Sequence, residues 1–280
     1  VEKYPHSGCL PVVTKTGCSI KDDLIRRDFT INAIAARILP SLEYEIIDIF
    51  SGAEDIKKGI LKVLHKNSYI DDPTRILRGL DFKLRFNFDF SEQDKILIEN
   101  YLKSPNRECL SKDRVILTLK KLFNSKERAN RAFEEFREKK YYKILFDNFD
   151  LNAYDINKSV EIFKPQNISE TYIKYIFEQE KDCNKLNSRL EIYKYFKNLS
   201  DTDICVYYAL THDENAILYQ NTLKNIELKI SGSDLINLGF KQGKIIGKIL
   251  DKTLEAKLAK NSSIKSFLDE INYVKKTFIP

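Results

Sequence analysis

The stretch DDPTRILRGLDF, residues 71 to 82, sets two carboxylates, a proline and two arginines within eight residues at the start of a helical pattern. Asp72, Arg75 and Arg78 follow one another at intervals of three, a spacing that lines side chains along one helical face. A carboxylate beside guanidinium groups places hydrogen-bond acceptors next to charged donors. The same residues also make an ordinary helix start. Asp72 then serves as N-cap, Pro73 takes the first helical position where its missing N–H costs nothing, and the arginines form a solvated face. Taken alone, the stretch leaves both readings open.

A second candidate lies near the C-terminal end, in ISGSDLINLGFKQGKIIG, which holds four of the nine glycines, Gly232, Gly239, Gly243 and Gly247. The pattern predicts a helix from about Ser233 to Leu238 that ends at Gly239 in the left-handed conformation, with a second helix starting near Gly243. The free N–H groups of that second helix, with Lys241, Lys244 and Lys248, could hold a phosphate. A tight helix-to-helix packing contact explains the glycines equally well.

Other chemistry is thinly represented. The five cysteines, Cys9, Cys18, Cys109, Cys183 and Cys205, are widely spaced and contain no C-x-x-C pair, so they predict neither a zinc site nor a disulfide framework. A reducing cytosol fits them best. His6, His65 and His212 are far apart in sequence and form no ligand pattern.

The elements that must carry these residues change character along the chain. The 280 residues are 42% apolar, enough for two or more cores, and contain no apolar run long enough to span a membrane. The first sixty residues alternate strand-like runs, CLPVV and YEIIDIF, with the helix-like DLIRRDFTINAIAARI. From residue 65 onward amphipathic helical segments dominate, among them SEQDKILIENYL, KDRVILTLKKLF and ERANRAFEEFREKKYYKILF. The net charge of +6 is uneven: residues 112–143 carry eleven Lys and Arg against five Asp and Glu, and residues 241–280 carry nine against four. Two basic regions on an otherwise acidic chain suggest a polyanion held at two places, although lysine-rich helix surfaces are also commonly plain solvation.

YPHSGCLPVV, DDLIRRDFTINAIA, IIDIFSGAEDIKKGILKVLH and DDPTRILRGLDFKLRFNF, in this order, resemble consecutive motifs of the class II tRNA nucleotidyltransferase and bacterial poly(A) polymerase family. The likeness covers about the first 90 residues. SKDRVILTLKKLF resembles the family's next motif more loosely, and the glycine-bearing segment resembles the tail of CCA-adding members. Residues 145–225 match no motif. The resemblance implies an α+β, mostly α-helical chain: the end of an α/β nucleotidyltransferase head in residues 1–60, a helical nucleotide-selecting neck in 61–145, a helical body in 146–225 and a helical tRNA-binding tail in 226–280.

It also implies roles. On their Watson–Crick edges cytosine and adenine present an exocyclic amino donor beside a ring-nitrogen acceptor, whereas the ring nitrogen of guanine and of uracil is protonated there. By resemblance Asp72 and Arg75 would read that pair of groups as a protein template, with Arg78 nearer the phosphates and Asp71 in support. Arg27 would face the triphosphate, and Asp28 would accept from ribose hydroxyls. Lys241, Lys244 and Lys248 would bind the RNA backbone. Substrates would be CTP, ATP and a tRNA 3′ end, with Mg²⁺ as cofactor.

Three departures qualify the likeness. Asp71 stands where the family often has glutamate, and Asp81 where it tends to have a third arginine, a charge reversal expected to weaken triphosphate binding. The family's metal-binding D-x-D motif, set after a glycine-rich G-G-x-x-R-D turn, does not appear ahead of YPHSG, and Asp22 and Asp23 are in a different setting. Its ligands are therefore expected upstream of Val1, in a longer protein of which residues 1–280 would bind but not catalyse. The expected activity of the whole is CCA addition to tRNA in the cytoplasm. A poly(A) polymerase and a non-catalytic RNA-binding protein of the same fold are the alternatives.

Overall fold

A computed structural model describes residues 2–3, 12–13, 16–107, 110–147, 149, 152–178 and 185–279. Most of the motif YPHSGCLPVV, with His6 and Cys9, lies outside them, as do Cys109 and Cys183. The described residues are mostly helical with three small two-stranded sheets, and the chain divides into two compact units. The first comprises residues 1–157 and 167–177, the second residues 158–166 and 178–280.

The first unit begins with β1 (Glu2–Lys3) paired antiparallel to β2 (Val12–Val13), followed by helix α1 (Ile20–Leu24). Ser19 caps α1 in a reciprocal box with Asp22. The helix-like spacing of residues 23–38 is not realised as one helix. After α1 the chain passes through a single turn at Thr30–Asn32 and then extends as β3 (Ala35–Ile38), antiparallel to β4 (Tyr44–Ile47). Tertiary pairing decides this: Thr30 N–H binds Lys62 O at 2.8 Å and Phe29 bridges to Val63, interactions that a continuous helix would forfeit.

Helix α2 (Gly52–Lys58) starts where the Asp48 carboxylate accepts the Gly52 and Ala53 N–H groups at 2.7 and 2.9 Å. A Cβ at Gly52 would overlap the Thr30 carbonyl, so glycine is required by close approach. Strand β5 (Ile60–Leu61) then pairs in parallel with β6 (Asp89–Phe90). Between these strands run α3 (Ser68–Asp71) and α4 (Thr74–Phe86). Helix α4 buries Ile76, Leu77 and Leu80 completely, and a Cβ on its Gly79 would run into the Phe90 ring and crowd Phe29. That close approach draws α4 against Phe29 and Phe90.

Helices α5 (Glu92–Lys103), α6 (Lys112–Leu122), α7 (Lys126–Glu138), α8 (Ala153–Phe163) and α9 (Ile168–Phe177) follow. Helix α6 packs on both α4 and α9. Aromatic side chains fill much of this core: Phe123 stacks on Tyr172 with centroids 5.2 Å apart, and Phe133 touches Phe136, Tyr172 and Tyr175.

The second unit takes the end of α8 and adds α10 (Arg189–Lys197), α11 (Asp201–Thr211), α12 (Glu214–Leu218), α13 (Gly232–Asn237), α14 (Lys244–Leu258) and α15 (Phe267–Phe278). Serines at 188, 200, 231 and 266 form reciprocal capping boxes with acidic residues three positions on. Gly239 adopts φ +96° after α13, and Gly243 with φ +143° precedes α14, so the two-helix reading of the glycine-bearing segment agrees with the structure. Ile230, Leu235, Ile249, Ile271 and Val274 make its apolar cluster. Beside it Glu270, fully buried, pairs with Lys257 and accepts the Lys229 and Ile230 N–H groups, each at 2.8 Å.

Candidate functional site

Asp72 sits in extended conformation between α3 and α4 and is 3% exposed. Its two oxygens have different tasks. Oδ1 accepts the Thr74 N–H at 3.1 Å and the Thr74 hydroxyl at 2.6 Å, which opens α4 in the manner of an N-cap. Oδ2 accepts Arg114 Nη2 at 2.7 Å and lies 3.6 Å from Arg78 Nη2. The capping and charge-pairing roles therefore coexist on one side chain.

Arg78 stands between two carboxylates. Its Nε is 3.4 Å from Asp28 Oδ2, and its Nη2 faces Asp72. Asp28 is itself held by the Phe29 N–H and the Asn32 side-chain amide, each at 2.9 Å, so its orientation is set by the turn that follows it. The structure thus brings Asp28, Asp72 and Arg78 together across 50 residues of chain.

Arg75 does not share that face. It is 2% exposed, and it donates through Nη1 to Ser68 Oγ and through Nη2 to the Arg26 carbonyl at 2.9 Å. Its guanidinium ties α3 and the α1 connection to the start of α4. Arg27 is half exposed and pairs with Asp23 at 3.1 Å, and Arg26 binds the same carboxylate at 2.6 Å. Both arginines hold the Asp23 carboxyl below its ordinary range.

Asp71 is 3.9 Å from His65 Nε2. Burial lowers the His65 pKa, the Arg75 charge lowers it further, and Asp71 opposes them. Below these residues Asp94, 1% exposed, accepts from Val63 N–H at 3.1 Å, from Tyr69 hydroxyl at 2.8 Å and from Ser91 Oγ, anchoring α3 to the start of α5. Burial pushes the Asp94 carboxyl up, and it pushes the nearby Tyr101 phenol up to about 12.

Arg114 was not among the residues singled out from sequence. Its only local signal is its place in SKDRV at the first turn of α6, and nothing in that position indicates a partner 42 residues away. Asp81, which stands where the resemblance would place a third arginine, is 6% exposed and lies 3.4 Å from Arg85 and 3.6 Å from Arg128. In the second unit Lys241, Lys244 and Lys248 are exposed around the start of α14.

No group of three or more His, Cys, Asp or Glu among the described residues could hold a metal ion. Asp22 closes the Ser19 cap and Asp23 is shared by two arginines, so these carboxylates do not fit the Mg²⁺ that the resemblance implies. No helix among the described residues is long and apolar enough to cross a membrane.

Residues 1–62 match the family model described as the poly A polymerase head domain. The CCA-adding enzyme from Thermotoga maritima complexed with tRNA_CCA superposes with a TM-score of 0.70 at 26% identity, over 92% of this chain and 74% of that one. In its first 62 residues and in its fold the chain is thus similar to the CCA-adding tRNA nucleotidyltransferase and poly(A) polymerase family. A CCA-adding enzyme in complex with CTP gives a TM-score of 0.71 at 27% identity, over 92% of this chain and 73% of that one. An A-adding tRNA nucleotidyltransferase from Halalkalibacterium halodurans is 44% identical over 92 residues, 33% of this chain and 21% of the relative. The match thus spans about a fifth of that family member's length.

Proposed function

We propose that the protein transfers nucleotides from CTP and ATP to the 3′ end of tRNA without a nucleic-acid template, and that the start of α4 selects the base. The observation that carries this reading is the Asp72 carboxylate, buried, with one oxygen committed to capping α4 and the other turned towards Arg78 and Arg114. That second oxygen is the acceptor for the amino group of cytosine or adenine. Arg75 supplies the donor to the ring nitrogen by exchanging its bond to the Arg26 carbonyl for one to the base. Arg78, between Asp28 and Asp72, lies towards the phosphates, Asp28 accepts from the ribose, and Arg27 contributes positive charge at the triphosphate side. Uracil and guanine present the wrong donor and acceptor to this pair, so discrimination follows from unpaired polar groups rather than from size.

In this reading residues 1–60 complete the head, 61–145 form the neck, 146–225 the body and 226–280 the tail, with Lys241, Lys244 and Lys248 on the RNA backbone in the cytoplasm. The divalent ions that such a transfer uses would be held by carboxylates outside the described residues.

A second reading, addition of A alone to a tRNA that already ends in CC, is favoured by the H. halodurans relative. The deciding experiment incubates full-length protein with tRNA lacking its 3′ end and each nucleotide separately. Products completed to CCA support the first reading, and incorporation of A only onto CC-ended tRNA supports the second. A long A tail would make it a poly(A) polymerase, and no incorporation would leave an RNA-binding protein.

A further inference from the structure

Asp81 and Arg128 form a pair whose geometry is poor for simple stabilisation. Asp81 is 6% exposed, its Oδ1 lies 3.6 Å from Arg128 Nη1, and both Oδ1 and Arg128 Nε are buried without a hydrogen bond among the described residues. Burying charges at such distances costs more desolvation than it returns, and an apolar residue of similar volume would ordinarily be neutral or better. The pair does fix where Arg128 points. Arg128 Nη2 donates to the Lys121 carbonyl at 3.1 Å, in the last turn of α6.

Helix α6 is therefore linked to α4 near both of its ends. Arg114 in its first turn binds Asp72, and Arg128 joins its last turn to Asp81. Apolar packing between two helices holds their faces together but resists sliding along the axis only weakly. A slip of one residue moves a side chain by about 1.5 Å, enough to take Arg114 from 2.7 Å to beyond hydrogen-bond range of Asp72.

We propose that Asp81 is a positioning residue for nucleotide selection: through Arg128 it sets the axial position of α6 and so holds Arg114 on Asp72. The proposal rests on the base-selecting role of Asp72 given above. The partners of Asp81 are Arg85 and Arg128.

The test uses full-length protein and measures kcat and KM separately for CTP and UTP, with thermal melting alongside. Asp81→Asn keeps the volume and removes the charge, and it should lower the CTP preference in kcat/KM about tenfold, a fraction of what a bidentate base contact supplies. Arg128→Gln should do the same, and the double variant should be no worse than either single one. Should Asp81→Asn fold poorly, Arg128→Lys, which keeps the charge but cannot reach both Asp81 and the Lys121 carbonyl, should show the same loss. Preference retained in these variants but lost in Asp72→Ala overturns the positioning role and leaves the base reading standing. Preference retained in Asp72→Ala as well removes the base reading and this role with it. A fall in KM for both nucleotides by the same factor in Asp81→Asn would place Asp81 at the triphosphate and overturn the proposal.

Discussion

Arg114 Nη2 lies 2.7 Å from Asp72 Oδ2, a charged hydrogen bond between the first turn of α6 and the residue that opens α4. The Asp72 carboxylate is 4% exposed and depends on arginines to offset its desolvation. Replacing Arg114 with Gln should weaken CTP and ATP selection while leaving tRNA affinity unchanged. Asp72→Ala should go further and remove discrimination between CTP and UTP, each lost bidentate contact being worth roughly 1–3 kcal/mol. Single-nucleotide incorporation assays on both variants check this. Full selectivity in Asp72→Ala would reduce Asp72 to a helix cap.

His65 predicts a pH dependence. Its folded-state pKa is lowered, by burial first and by the Arg75 charge second, below the value of about 6.5 that an unfolded chain would show. Between the lowered value and 6.5 the unfolded state therefore binds more protons than the native one, and stability falls as pH drops through that window. Urea denaturation at a series of pH values from 8 to 5 should show the decline. His65→Asn should flatten it, since its side chain does not titrate. An unchanged slope in the variant would assign the decline to other groups.

Lys241, Lys244 and Lys248 test the tail. Lysines that neutralise phosphates release counterions, so binding through them falls steeply with salt and depends little on sequence. Charge reversal at all three should lower tRNA affinity and flatten its salt slope, with nucleotide selection untouched. Binding as tight as that of the unchanged protein, with the same salt slope, would make the start of α14 a packing element only.

Within the second unit, Glu270 is fully buried, pairs with Lys257 and accepts two backbone N–H groups, from Lys229 and Ile230. Removing one member of a buried pair leaves the other charge uncompensated. Lys257→Ala or Glu270→Ala should each cost about 3–5 kcal/mol in denaturant unfolding of this unit, and the double variant less than their sum. Additive losses would show that the two side chains act independently.

Local chemistry was legible in the residues themselves. The apolar periodicity of α5, α6 and α7, the cap at Asp72 and the glycines that end α13 and precede α14 depend on neighbours within a few positions, and spacing along the chain reports such neighbours directly. The order of motifs in the first 90 residues likewise pointed to the family whose head model matches residues 1–62 and whose solved structures the fold resembles. Tertiary packing decided the rest. It broke the helical pattern after Leu24 in favour of the β3–β4 pair, because the Thr30 N–H found Lys62 O instead of a helical partner. It turned Arg75 inward to a carbonyl 49 residues away, brought Arg114 to Asp72 across 42, and gave Asp81 to Arg128. A three-residue interval shows which side chains share a helical face. Which of them that face buries, and against which charge, is set by the helix that packs on it.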